Sequence, residues 1–274
     1  MRELIAAEPK SNRAQLSRRV CEILNWRRPD GRLKDMSCRV AMLRMERDGL
    51  IKLPPPLKGN GNGRSRPRIT SASDPREPLT IEPHTLRSIV LTPVVRGDDD
   101  SPLWNELVER HHYLGYKPLP GEQIRYLVRC GTEVVAALGF GAAAWKTAPR
   151  DKFIGWTASQ RKAGLQLIVN NARFLILPWV HTPNLASCIL GRVAKQLPRD
   201  WLARYGHEPV LLETFVERER FRGTCYRAAN WIHVGATKGR GKLDVHTRYP
   251  VPVKDIFLNP LHRHFRSKLC TGGT

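Results

Sequence analysis

Acidic residues are scarce in this chain. Twenty-five Asp and Glu stand against 46 Lys and Arg in 274 residues, a formal charge of +21. Such an excess excludes a charge-balanced surface and favours a polyanionic partner, because each phosphate neutralised by a cation releases condensed counterions. Long apolar runs are missing too, and no stretch approaches the ~18 residues that a membrane span requires. The opening MRELIAAEPKSNRAQLSRRV lacks the apolar centre of a secretory signal. The six cysteines, at positions 21, 38, 130, 188, 225 and 270, include no C-x-x-C pair. That spacing argues against a disulfide scaffold and against the common zinc modules. Reduced thiols in a cytoplasmic protein are therefore the expectation. There is no P-loop, no G-x-G-x-x-G and no internal repeat, so the commonest nucleotide-binding signatures are excluded.

The 41% of hydrophobic residues can build a real core, and the length suits one large domain or two modest ones. Residues 1–57 read as a first unit. SNRAQLSRRVCEILNW starts with an N-cap at Ser11 or Asn12 and repeats Leu16, Val20, Ile23 and Leu24 at helical spacing. RPDGRLK supplies a turn. KDMSCRVAMLRMERDG predicts a second helix with Met36, Val40, Leu43 and Met45 apolar, and LIKLP predicts a strand. Helix, turn, helix and strand is the order of a winged helix-turn-helix, whose second helix enters the DNA major groove. Lys34, Arg39, Arg44 and Arg47 then lie on or beside its polar face; a small helical cap with solvated arginines is the plainer alternative. Residues 58–78, rich in Pro, Gly, Ser and cations, predict a flexible basic linker.

Residues 79–274 form the second unit. SPLWNELVERHHYLGY predicts a helix broken at Gly115, and IRYLVRCGTEVVAALGFGAAAW a hairpin turning at Gly131. ARFLILPWV is a strand, NLASCILGRVAKQLPRDWLARYG a helix with a jog at Pro198, PVLLETFV a strand, GTCYRAANW a short helix and IHVGAT a strand. A meander followed by alternating strands and helices gives a mixed α/β sheet.

That order resembles the GNAT-like N-acetyltransferase fold, with RFLILPWVHTPNLASCIL as central strand and cofactor helix. A sharper resemblance lies in the motifs ERHHYLGYKPLPG, GFGAAAW, RDKFIGW, NNARFLILPWVHTPNLAS, ETFVERERFRGTCYRAANW and VGATKGRGK. They are similar to the DruA family of the Druantia anti-phage system, whose relatives also accompany insertion-sequence transposases. This resemblance spans nearly the whole chain and implies helicase-like or transposase partners. PNLAS, ETFVE and GTCYRAANW are also distantly similar to phage Mom-type DNA modification enzymes, and Asn184, Ser187, Glu217 and Tyr226 fall on that pattern. The GNAT-like resemblance implies an acyl-CoA-type cofactor, but VHTPNLAS lacks the glycines of the usual pyrophosphate loop, so the cofactor is left open.

Several residues carry candidate chemistry. Tyr226 can protonate a leaving group with Glu217 as base, or simply pack the sheet. His111 and His112 end a helix as a general base or as a helix-end cap. Asn184 and Ser187 open a helix whose free N–H groups suit an anion, though N-capping is their commoner role. Glu213 and Glu217 share a strand face at i, i+4 and can meet Arg227; with a histidine they seed a metal-dependent nuclease reading. Cys225 beside Arg227 is reactive or packed. Trp179 and Trp231 stack on an extruded base or belong to the core. Asn230 continues the pocket wall of Tyr226, and Arg227, Arg240 and Lys242 offer phosphate contacts. The leading expectation is a DNA-binding protein with a winged helix-turn-helix at 1–57 and a GNAT-like α/β domain at 79–274 acting on DNA or nucleotides. The alternatives are a non-catalytic DNA recognition module and a metal-dependent nuclease.

Overall fold

The computed structural model describes residues 1–9, 11–27, 31–56, 66–239 and 251–271. The chain divides into two compact units, Met1–Ser65 and Arg66–Thr274.

The first unit holds α1 (Arg2–Ala7), α2 (Arg13–Ile23) and α3 (Asp35–Arg47). Asn12 caps α2: its side chain accepts from the Ala14 and Gln15 amides, and the Gln15 side chain returns to the Asn12 amide. Leu16, Val20 and Cys21 of α2 pack on Cys38 and Met42 of α3, with Ile51 and Leu53 closing the cluster. Helix α3 carries two apolar stripes, and only one can face α2. The buried stripe is Cys38 and Met42, whereas Met36, Val40 and Leu43, expected in the core, are exposed, as are Ile23 and Leu24. The strand expected over LIKLP does not form. The backbone there is engaged by side chains instead: Leu53 N–H donates to Glu46 Oε1 (2.9 Å) and Arg13 Nε donates to the Pro54 carbonyl (2.6 Å). Among the described residues the unit's one strand-like pairing is the bridge between Arg27 and Leu33, so no wing hairpin is present there.

The second unit begins inside the stretch read as a linker. Residues 70–74 dock on α4 (Asp100–His111), which follows β1 (Val90–Pro93). The Thr70 amide and hydroxyl both donate to Glu106 (2.8 Å each), and Arg110 pairs with Asp74. Ser73 is fully buried beneath them. Two carboxylates flanking a polar Thr-Ser segment thus order it, which composition alone does not reveal.

Next come β2 (Ile124–Cys130), β3 (Glu133–Ala142), α5 (Ala148–Ile154), α6 (Ala158–Gly164), β4 (Ile168–Ile176) and α7 (Leu185–Tyr205). They are followed by β5 (Leu211–Glu217), α8 (Thr224–Ala228), β6 (Ile232–Ala236), β7 (Lys254–Pro260) and α9 (Phe265–Cys270). The seven strands form one mixed sheet in the order β1-β2-β3-β4-β5-β7-β6. One face packs on α7 and α8: Tyr126 donates to Asp200 of α7 (2.7 Å) and Asn171 accepts from Tyr226 of α8. The other packs on α4, α5 and α9, with Trp104 against Arg125 and Gly139, and Ile154, Phe265 and Leu269 in a separate cluster. Helix α7 continues through Pro198.

Strands β4 and β5 are the sheet's parallel pair, and they position the site. Their pairing runs from Ile168 with Leu211 only as far as Asn171 with Thr214. Beyond that point β4 stays with β3 and β5 stays with β7. Side chains end the ladder: the Thr214 hydroxyl donates to the Asn171 carbonyl (3.1 Å). The two strands then diverge and leave a cleft at the middle of the sheet.

Candidate functional site

The cleft has a volume of about 980 Å³ and is walled by residues 170–176 of β4 and 214–217 of β5. The end of α4 and its following loop, the start of α8 and Lys254 of β7 complete it. Its size is that of a small-molecule or nucleotide site.

Asn171 is the hub of its floor. Its Oδ1 accepts from the Tyr226 hydroxyl (2.9 Å), and its Nδ2 donates to the Arg173 carbonyl (3.0 Å). Tyr226 is 7% exposed and stacks on Phe257 with Trp231 at its edge. Burial, the largest cause, raises its phenol above the ordinary value. The hydroxyl is therefore a weaker acid than a free tyrosine, and its proton already serves Asn171. Gly223 makes this arrangement possible. Its φ is +67°, and a Cβ there would lie 2.6 Å from the Phe257 ring.

Glu217 lines the same cleft, and its Oε1 accepts from Arg220 Nε (2.8 Å). His111 and His112 line it as well. His111 Nε2 lies 2.9 Å from the Ser73 carbonyl, and its ring meets Trp179 edge-on. His112 Nδ1 accepts from the Leu114 amide (3.2 Å), which assigns the proton of the neutral ring to Nε2. Burial first, and the Arg173 guanidinium second, hold this imidazole down to about 4. At neutral pH it is an uncharged donor.

That shift has a sign. The folded value lies below the ordinary 6.5. The stabilisation from a neutral ring is therefore present above pH 6.5 and is lost as the pH falls through 4. His112→Asn keeps an acceptor for the Leu114 amide but cannot titrate. Denaturant unfolding between those pH values should show the wild type losing about 2–3 kcal/mol more than this variant. Parallel losses would show that His112 does not drive the acid sensitivity.

Arg173 is the residue that sequence reasoning missed. It sits on β4, 8% exposed, in the cleft wall. Its Nε donates to the Gly115 carbonyl (3.2 Å) and its Nη1 to the Ala172 carbonyl (2.7 Å). No carboxylate among the described residues pairs with it. Burial lowers its pKa from the ordinary value, with Tyr113 acting against the shift. Arg222 and Lys254 also line the cleft. Part of the signal was available in NNARFLI, where polar residues interrupt an apolar strand, but a bulge at Ala172 puts Asn171 and Arg173 on opposite faces, which spacing does not reveal.

Other expected residues lie elsewhere. Asn184 is exposed at the start of α7 in a left-handed conformation (φ 60°), with no side-chain cap bond. Ser187 donates to the Asn184 carbonyl (3.0 Å). Neither lines the cleft, although Ala186 does. Glu213 does not share a pocket with Glu217 and Arg227. It is fully buried and takes Arg150 Nη1 (2.8 Å) and the Ala144 amide (2.7 Å). No group of three His, Cys, Asp or Glu among the described residues is placed to hold a metal ion. Arg227 is exposed over the Phe257 ring, and Asn230 is exposed after α8. Cys225 is pushed up by burial, away from a reactive thiolate. Trp179 and Trp231 are core residues. In the first unit Lys34 is half-buried before α3, Arg39 is paired with Asp35 (2.8 Å), and Arg44 and Arg47 are exposed. Arg240 and Lys242 lie outside the described residues.

No helix among the described residues is long and apolar enough to cross a membrane. No curated protein matches the chain. Solved structures similar to it include RimL, a ribosomal protein α-N-acetyltransferase, at 10% identity and a TM-score of 0.33, covering 51% of this chain and 70% of that one. An acetyltransferase of Salmonella typhimurium that modifies the N-terminal serine of a 50S ribosomal subunit protein has 13% identity and a TM-score of 0.33, covering 51% and 64%. A spermidine N-acetyltransferase SpeG chimera from Vibrio cholerae and hSSAT has 10% identity and a TM-score of 0.40, covering 67% and 99%. At these scores the likeness is a loose one of chain course. Sequence gives the firmer assignment: the profile of the family described as Druantia protein DruA matches residues 45–250, three quarters of the length, and the chain belongs to the DruA family.

Proposed function

We propose that this DruA-family chain is a DNA-binding protein of an anti-phage defence or mobile-element system, and that its β4/β5 cleft holds a phosphate-bearing group of a nucleotide. The observation that carries the reading is Arg173, a buried guanidinium in the cleft wall with no ion-pair partner among the described residues, while the Glu217 carboxylate of the same cleft is taken by Arg220. A buried charge without a partner is costly, and a phosphate supplies the missing partner through charge-assisted hydrogen bonds. The net charge of +21 supports a polyanion as the source of that phosphate.

The side chains favour holding over proton transfer. Tyr226 donates to Asn171, Glu217 accepts from Arg220, and His112 carries its proton on Nε2. This favours the recognition-module reading over a DNA-acting transferase with Glu217 and Tyr226 as acid and base. A divergent parallel pair is also where a GNAT-like fold would place an acyl-CoA, which carries phosphates of its own.

The test is calorimetric titration of the full chain with a deoxynucleotide, an oligodeoxynucleotide and coenzyme A. Nucleotide-bearing ligands should bind and should weaken 10³-fold or more between about 50 and about 200 mM salt for the oligonucleotide. Binding of coenzyme A alone, or salt-independent binding, would overturn the nucleic-acid reading.

A further inference from the structure

A second cleft of about 780 Å³ lies away from the β4/β5 site, between β2, the start of α4, the loop at 116–123 and the end of α7. Arg96, Lys117, Arg125 and Arg204 line it. None of the four pairs with a carboxylate among the described residues. The one acid in the lining, Glu122, faces His207 instead (3.2 Å). The contrast with neighbouring arginines is sharp. Arg129, four residues further along β2, pairs with Asp100 (2.6 Å), and Arg110 of α4 pairs with Asp74.

Arg125 is the fixed point. Its Nη1 donates to Asn105 Oδ1 (2.8 Å) and its Nη2 to Ser101 Oγ (2.9 Å). Its guanidinium lies over the Trp104 ring at 5.2 Å. Neutral acceptors and an aromatic face orient the fork without cancelling its charge, and donors are left over. Burial lowers its pKa; Tyr116 opposes this, and Arg204 adds a smaller lowering. Like charges are thus held together where an anion would relieve them. Tyr205, under the Arg204 guanidinium, is pinned by bonds between its hydroxyl and both the amide and the carbonyl of Gln123 (2.7 Å each).

We infer that this cleft is a second phosphate-binding site, which seats the sugar–phosphate backbone of a nucleic-acid strand. Four cations from four separate segments, three of them exposed, suit successive phosphates along a strand better than one small anion. Trp104 is 1% exposed, so its ring orients Arg125 and offers no face for stacking a base. The inference rests on the nucleic-acid reading above but not on the β4/β5 cleft.

The experiment uses the full chain and a labelled oligothymidylate of about twenty nucleotides, followed by fluorescence anisotropy between about 50 and about 200 mM salt. Arg96→Glu with Lys117→Glu changes two exposed side chains, so melting should be unchanged. Affinity should fall ~10-fold or more, and the salt slope should become shallower by about 1.4, the loss of two single-strand phosphate contacts. The control, Lys152→Glu with Lys162→Glu, makes the same charge change outside the cleft and should cost less than ~3-fold. Equal losses in the two variants would reduce the effect to general charge and overturn the site. Loss of inorganic pyrophosphate binding with oligonucleotide binding intact would overturn the strand in favour of a small anion. If the wild type binds no oligonucleotide, the nucleic-acid reading itself falls. If it binds and the cleft variant binds as well, only this inference falls.

Discussion

Arg150→Met is expected to destabilise the second unit by about 3–5 kcal/mol, the usual cost of removing one partner from a buried ion pair. For a unit of this size that corresponds to a fall in Tm of about 10 °C or more. Arg150 and Glu213 are both fully buried, and their atoms meet at 2.8 Å. Arg150 also donates to the Ala144 carbonyl (2.7 Å) and pairs with Asp151 (2.9 Å), so it ties β5 to the segment entering α5. Burial lifts the Glu213 carboxyl above its ordinary value in spite of Arg150. Without the guanidinium it rises further. A carboxyl whose folded value exceeds the unfolded one contributes stability at low pH and loses it as the pH rises through the folded value. The variant's deficit should therefore be largest near neutral pH and shrink toward pH 5. Glu213→Gln is the milder change, because an amide oxygen still accepts from Ala144 or Arg150, and Arg150 keeps Asp151. It should cost about 1–2 kcal/mol. Equal costs for the two variants, with no pH dependence, would show that packing rather than charge holds the pair.

This ion pair also marks how far the sequence could be read. The i, i+4 spacing of Glu213 and Glu217 on a strand is real, and it suggested a shared pocket. What it cannot convey is the neighbouring chain. Arg150 arrives from 63 residues earlier and takes Glu213 into the core, while strand divergence opens the cleft only at the Glu217 end. The central elements were legible because their patterns are local: the β2–β3 turn at Gly131, the apolar β4, the long α7 and the short α8 after Gly223. Strand β7 was not, because KDIFLNP closely follows Pro252, ends on Pro260, and pairs with β5 and β6 without a tight turn to announce it. Helix α3 illustrates the opposite failure. Its sequence offers two apolar stripes, and only the fit against α2 selects Cys38 and Met42 over Met36, Val40 and Leu43.

The same limit hid Arg173, whose role follows from what does not surround it. An arginine in a basic chain attracts no notice; a buried one without a carboxylate does. Arg173→Met should lower the affinity of the full chain for a deoxynucleotide or oligodeoxynucleotide by about 10- to 100-fold, since a hydrogen bond to a charged group contributes about 1.5–3 kcal/mol. Folding stability should move by no more than about 1 kcal/mol. The variant removes a buried charge, which favours the fold, and it strips donors from the Gly115 and Ala172 carbonyls, which opposes it. Arg173→Lys keeps the charge without the fork and should fall between the two. His112 provides an internal readout. Arg173 is the second cause of its lowered value, so in Arg173→Met the imidazole should titrate at higher pH, visible in its ring proton shifts. A shifted His112 with unchanged ligand affinity would leave Arg173 in the cleft but deny it the ligand. A loss of affinity confined to the variants without the guanidinium fork, at constant stability, is the outcome that the arrangement of Arg173, Asn171 and His112 around the diverging strands requires.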